Sequence, residues 1–333
     1  MHRQNNFDFL RLVLASFVII THAYHLSGKG NTDWLGEISN KQVVFSYFGV
    51  KGFFVISGYL IFQSLSRSKS ILDYYWKRIL RLFPALIVVL TLTVLLAPFV
   101  YENSVVPYLK NPDVWTYIPK NLSLLKSQYF ISGVFENNPY KGAINGSLWT
   151  IRYEFAMYIL LSLLFVFRKK ETLLKVILAM LFITLLIGNL FFKDFFVGKG
   201  YILGADLLLD LGVFFIGGSL IASLNIEKNN YFKLLGVLSF FGLIIAIPFN
   251  SFDIVKYILL PPFIIYFGSQ SIPIINSVGS KIGDLSYGIY IYAFPVQQTL
   301  YYYFHLDYIQ LIIYGFLISS VFGYSNDVNT SCI

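Results

Sequence analysis

Apolar residues run along the chain in long stretches separated by short polar ones, and the stretches near 7–27, 43–66, 83–101, 147–167, 173–192, 201–224, 231–249, 254–270, 284–304 and 308–324 each have the length of a bilayer-crossing helix. A span needs about 20 predominantly apolar residues. The pattern therefore predicts an all-α fold, a polytopic transmembrane bundle of about ten spans with both chain ends on one side. The only long connection is 102–146, whose Pro and Trp residues predict a partly ordered cap over one face. No heptads, fixed-period repeats or low-complexity tracts interrupt this organisation.

Composition sharpens the picture. Hydrophobic residues make up 56% of the 333 and charged residues 13%, about half the charged share of soluble domains; mean hydropathy is +0.66. Little room remains for a soluble domain. The net charge of +8 raises the question of nucleic acid, but the basic residues lie between apolar runs and not with aromatics on one polar element, so no nucleic-acid partner is expected. With a single cysteine, Cys332, no intrachain disulfide can form. Met1 to Asn6 is polar, and no small-residue cleavage site follows the first apolar run, so that run is expected to stay in the protein. Lys and Arg are denser in the loops that hold Arg67, Lys69, Lys77, Arg78 and Arg81, and then Arg168 to Lys170. Positive residues favour the cytoplasm, which puts the N-terminus inside.

The charged residues inside the spans carry the chemistry, because each costs roughly 2.5–3.5 kcal/mol at a helix centre on insertion scales and needs a partner or a function. Arg11, His22, Lys51 and Glu154 stand out. Eleven residues separate Arg11 from His22, which returns them to within about 20° of one helix face, roughly 16 Å apart along the axis. An arginine grips phosphate; a histidine can take a proton from a hydroxyl near neutral pH. Alternatively, Arg11 snorkels to the interface and His22 hydrogen-bonds a neighbouring helix. His25 falls at the aqueous edge.

Three further segments leave alternatives open. Arg78 and Arg81, an i, i+3 pair expected just before the third span, either clamp phosphates or only hold a loop inside. Gly49, Gly52 and Gly58, with Ser57, free one helix face of bulk, for close packing or for passage of a thin chain. Ser147 is placed to cap a helix in which Glu154 lies about two turns inside. Glu154 then orients a histidine, helps bind an acceptor hydroxyl, or pairs with Lys51 or an arginine. The four histidines, His2, His22, His25 and His305, have no carboxylates at metal-ligand spacing, so no metal site is expected.

Five segments in order, FDFLRLVLASFVIITH, FFVISGYLI, KRILRLFPAL, SLWTIRYEF and LSYGIYIYAFPVQQ, resemble the acyltransferase type 3 family of multispanning membrane acyltransferases, which O-acylate surface glycans and some other acceptors. The resemblance implies a catalytic His22, with Arg11, Arg78 and Arg81 binding the acyl-CoA donor, and it matches Glu154 to the acidic residue of the SLW segment. It also implies cytoplasmic acetyl-CoA as donor and a polysaccharide or lipid-linked glycan as acceptor, modified at or beyond the outer face of a bacterial plasma membrane. On this reading the donor's arm runs beside Gly52 and Gly58, and Glu154 orients His22 or the acceptor. Two features depart from the family: Ala293 stands where many relatives carry histidine, and VFGYSNDVNTSCI replaces their closing amphipathic segment. The expected organisation is thus an acyltransferase domain over 1–324, its last span short, and a polar tail over 325–333. A membrane transporter or flippase, or a truncated inactive relative, are the alternative functions.

Overall fold

The computed structural model describes residues 5–103, 105–200, 202–227, 229–273, 275 and 285–330, with backbone alone for 325–330. His2 and Cys332, used in the metal and disulfide readings, lie outside it, as does the end of the tail.

The helices follow the apolar runs. They are α1 (Phe7–Leu26), α2 (Trp34–Ile38), α3 (Phe45–Arg67), α4 (Ile71–Leu96), α5 (Pro112–Leu122), α6 (Trp149–Ser162), α7 (Glu171–Phe191), α8 (Lys193–Phe196), α9 (Ala205–Leu224), α10 (Asn230–Ala246), α11 (Phe252–Ser269), α12 (Ser286–Phe304) and α13 (Tyr308–Thr330). Among the described residues α1, α3, α4, α6, α7, α9 and α11, some extended by short 3-10 turns, are long and apolar enough to cross a membrane, and the shorter α10 and the Tyr308–Tyr324 part of α13 are apolar too. On α7 the residues Leu173, Val176, Met180, Ile183 and Ile187 are all exposed. Their spacing draws one apolar stripe along the outside of the helix, a surface suited to lipid and not to water.

α3 and α9 form the centre. Gly58 lies against the backbone of Phe215, and Gly218 against that of Val55, while the Ser219 hydroxyl donates to the Gly58 carbonyl at 2.9 Å. Small residues let two helix backbones approach this closely. α1 packs on the neighbouring face of α3, where a Cβ on Gly49 would come 2.7 Å from the Leu14 carbonyl and one on Gly52 would come 2.8 Å from the Leu14 side chain.

The largest shift of a boundary from its expected place is in the third span, while the last helix runs on to Thr330, six residues past its expected end. The third span begins at Ile71 and not near 83, because Ser70 caps the helix by accepting the Asp73 amide at 3.1 Å. Its first turns are polar on one side, so hydropathy alone hides them. Lys77, Arg78 and Arg81 therefore stand on α4 itself.

Residues 101–145 do form an ordered cap. Bridges pair Tyr101 with Val134 and Phe130 with Ala143, Asn111 caps α5, and the Asn121 amide bonds the carbonyls of Tyr117 and Gln128 at 2.9 and 3.0 Å. Asn138 ties the cap to α12, donating to Gln298 Oε1 at 2.7 Å. Burial of Val114, Tyr117, Ile131 and Phe135 joins this cap to the core of the bundle. We call its side of the bundle the cap face and the opposite side, with Arg67 and Arg168, the basic face.

Candidate functional site

Arg11 stands about one turn inside the basic end of α1, and both it and Arg78 are buried, at 5% and 8% exposure. α4 brings Arg78 and Arg81 to the same place from the opposite wall, since i, i+3 positions share a helix face. Together with Arg67 and Lys77 they line a polar cavity of about 320 Å³. None of its lining residues is acidic; at its margins Asp8 pairs with Arg11 at 3.6 Å and Asp73 with Lys77 at 2.8 Å. Arg78 donates through Nη2 to the Ser64 hydroxyl at 3.2 Å, while its buried Nε has no partner among the described residues.

From this cavity a narrower space of about 40 Å³ continues toward the cap face, sharing Arg11, Ser57 and Arg81 and bounded further up by Phe53, Thr150 and Tyr290. The Thr150 and Tyr290 hydroxyls meet at 2.8 Å. Glu154 stands on the wall of this passage, its carboxylate accepting from Ser57 Oγ at 2.9 Å and from the Tyr158 hydroxyl.

His22 lies nearer the cap face. Its ring meets the edge of Phe294 at a centroid distance of 5.1 Å, and Phe294 in turn meets Tyr140 of the cap at 6.1 Å. The His22 Nδ1 atom is shielded from solvent and has no hydrogen-bond partner among the described residues. The start of the SLW segment is fitted to the same aromatic: a Cβ on Gly146 would come 2.6 Å from Phe294, and Asn145 donates to the Ile291 carbonyl at 2.9 Å. His25, one turn beyond, bonds the Asn31 carbonyl at 2.9 Å.

The structure thus brings Arg11, Arg78 and Arg81 together and keeps His22 on the same helix above them. It does not bring Glu154 to His22. Thr150 is one turn from Glu154 and meets Tyr290; Phe294 is one turn beyond Tyr290 and meets His22. Two turns in succession separate the carboxylate from the imidazole by about 12 Å along the bundle. Glu154 does not pair with Lys51 either, because Lys51 bonds Asp210 of α9. Asp210 also accepts from the Tyr257 hydroxyl at 3.1 Å. Gly52 and Gly58 do not line the passage. Gly58 is filled by the α9 backbone and Gly52 by Leu14, so their small size serves helix packing, and Ser57 and Phe53 of the same helix face the space instead. Asn145, and not Ser147, accepts the first free amide at the start of the SLW helix, at 3.1 Å; the buried Ser147 hydroxyl has no partner among the described residues.

Sequence reasoning passed over Asp210, although the acidic pair Asp206 and Asp210 at i, i+4 in an otherwise apolar run carries the same signal of a costly buried charge that singled out Lys51. Phe294 offered no such signal. An apolar groove of about 380 Å³ between α4, α12 and α13 has no charged residue in its lining and takes no part in the site.

The family model for an acyltransferase domain matches residues 4–324. A protein of Shigella phage Sf6 described as an O-acetyl transferase is 31% identical over 311 residues, covering 90% of this chain and 86% of its own. Nodulation protein 10 of Rhizobium leguminosarum bv. viciae is 34% identical over 171 residues, 49% of this chain and 44% of its own. No solved structure matches. With that match running from the arginine cavity through His22 to the last apolar helix, the chain belongs to the acyltransferase family and is a helical membrane acyltransferase.

Proposed function

We propose that this protein carries acetyl from acetyl-CoA, bound at the cytoplasmic face, to a sugar hydroxyl of a surface polysaccharide or its lipid-linked precursor. The observation that carries the reading is the arginine cavity: Arg11, Arg78 and Arg81 converge in one space without an acidic lining residue, and the buried Nε of Arg78 is left for an anion to accept. A diphosphate fits that donor set, since guanidinium groups bind phosphate oxygens in a fixed fork. The crowding of Lys and Arg on this face supports a cytoplasmic N-terminus, and the relatives' sources support a bacterial plasma membrane. The name of the phage relative supports acetyl as the group transferred.

In this reading the donor's phosphates rest on the arginines and its thioester arm follows the passage past Ser57 toward His22. The acceptor hydroxyl oxygen bonds to the thioester carbonyl carbon while His22 takes the hydroxyl proton. The carbon–sulfur bond breaks, and the leaving thiolate recovers that proton from the imidazolium. His22 would contribute the 10²–10⁴-fold usual for a positioned general base. Glu154, fixed by Ser57 and Tyr158, acts on the donor side as a wall of the passage and positions the arm.

The test uses the purified protein in liposomes with labelled acetyl-CoA inside or outside and a glycan acceptor on the other side. Label reaches the glycan with wild-type protein and not with His22→Ala. Transfer that persists in His22→Ala would sink the mechanism, and movement of the acceptor without acetylation would point to a transporter.

A further inference from the structure

The last turn of α3 stands between two polar spaces. On one side is the arginine cavity; on the other a second cavity, about 420 Å³, opens between the end of α3, the start of α7 and the end of α9. Arg67, the final residue of α3, lines both. The two spaces differ in chemistry. The first offers guanidinium and ammonium groups with hydroxyls; the second offers the side-chain amides of Gln63 and Asn225, the guanidinium of Arg168, the carboxylate of Glu171, which can accept from a base's amino group, and the apolar surface of Phe62.

Local contacts set two of these side chains and the backbone of a third. Gln63 hydrogen-bonds the Tyr59 hydroxyl. Asn225 ends α9 in the left-handed conformation, at φ 53°, which asparagine tolerates better than most residues. The Arg168 guanidinium lies over the Phe165 ring at 3.9 Å and donates to the Phe165 carbonyl at 3.3 Å, so its plane is set. Side-chain amides present a donor and an acceptor side by side and can read the edge of a heteroaromatic base. A fixed guanidinium stacks on such a base or binds a phosphate. The volume falls within the roughly 300–1,000 Å³ of small-molecule pockets.

We propose that this second cavity is the subsite for the nucleoside 3′-phosphate end of the acyl-CoA donor, with Arg67 bridging to the diphosphate in the arginine cavity. The assignment rests on the acyl-CoA reading given above. A coenzyme A thioester carries, beyond its diphosphate, a flat base with a donor and acceptor edge and one further phosphate, the combination that Gln63, Asn225 and Arg168 match. Without the subsite the diphosphate cavity would tell coenzyme A from a shorter phosphorylated thioester only by the second phosphate.

The test compares two donors, acetyl-CoA and acetyl-4′-phosphopantetheine, on the full-length protein in liposomes. In wild-type protein acetyl-CoA has the higher kcat/KM, through KM. Arg168→Ala and Gln63→Ala each lower the ratio of the two kcat/KM values by about tenfold, the loss of one or two hydrogen bonds to a charged or polar ligand group. Ser66→Trp, at an exposed position on the rim, plugs the cavity and lowers the ratio to what the second phosphate alone contributes. As a readout free of catalysis, 3′-phosphoadenosine 5′-phosphate competes with acetyl-CoA in wild-type protein and loses its inhibition in Ser66→Trp. Equal losses with both donors, or inhibition that survives Ser66→Trp, would overturn the subsite while leaving the donor reading intact. Failure of the wild-type protein to use either thioester would overturn the donor reading itself.

Discussion

Replacing Lys51 by Met asks what the buried ion pair at the centre of the bundle does. Lys51 and Asp210 are 5% and 7% exposed, and the lysine bonds the carboxylate directly. Met keeps the length of the apolar stem but leaves Asp210 without its direct partner in a largely buried position. Breaking a buried pair by removing one partner costs about 3–5 kcal/mol. Here the Tyr257 hydroxyl still donates to Asp210 at 3.1 Å, and a hydrogen bond to a charged group retains about 1.5–3 kcal/mol. The expected loss therefore sits at the low end, about 3 kcal/mol, which is on the order of a hundredfold in the folding equilibrium at 1.4 kcal/mol per tenfold. The double variant Lys51→Met/Asp210→Leu removes both charges and should regain most of that loss, because well-packed apolar replacements of a buried pair are often neutral. Denaturant unfolding of the four proteins in detergent gives the complete double-mutant cycle. If the double variant is as unstable as the sum of the single ones, the pair is not what links α3 to α9 and the argument fails.

Other outcomes follow from the same geometry. Gly58→Ala should lower unfolding stability by about 1–3 kcal/mol or more, since its Cβ would press on the Phe215 backbone; a raised donor KM with unchanged stability would instead favour passage of the donor beside this glycine. His22→Gln should reduce acetyl transfer by 10²–10⁴-fold while leaving the unfolding midpoint close to wild type, because Nδ1 has no partner to lose; a large stability loss would mark the histidine as structural. Arg78→Ala should raise the donor KM by about tenfold or more, and Arg78→Lys should restore it only in part, because an ammonium cannot reproduce the guanidinium fork; full rescue by lysine would reduce the site to simple charge.

The sequence was most informative where one residue's cost is self-evident. Arg11 and His22 are polar residues in an apolar helix, and their spacing places them on one face whatever the neighbours do. Arg78 and Arg81 were readable as a pair for the same reason, although their helix was not: the polar first turns of α4 resemble a loop to any measure of hydropathy. Glu154 shows the limit. Its helix and depth were legible, but its partners, Ser57 and Tyr158, depend on which faces α3 and α6 turn to each other, and periodicity within one helix does not fix that. Gly58 shows another. A small residue on a helix suits either a ligand or a second backbone, and only the position of α9 decides between them.

On the proposed donor reading, the Nε of Arg78, without a partner among the described residues and set among four other cations, also ties the protein's persistence to its supply of donor. Like charges held together in a half-buried cavity repel, and a polyanion that binds there relieves the repulsion only in the folded state. Folding and binding are then one linked equilibrium: donor at a hundredfold over its Kd adds about 2.7 kcal/mol to stability. A cell short of donor would therefore hold the protein nearer to unfolding, and protein purified without donor should be the shortest-lived.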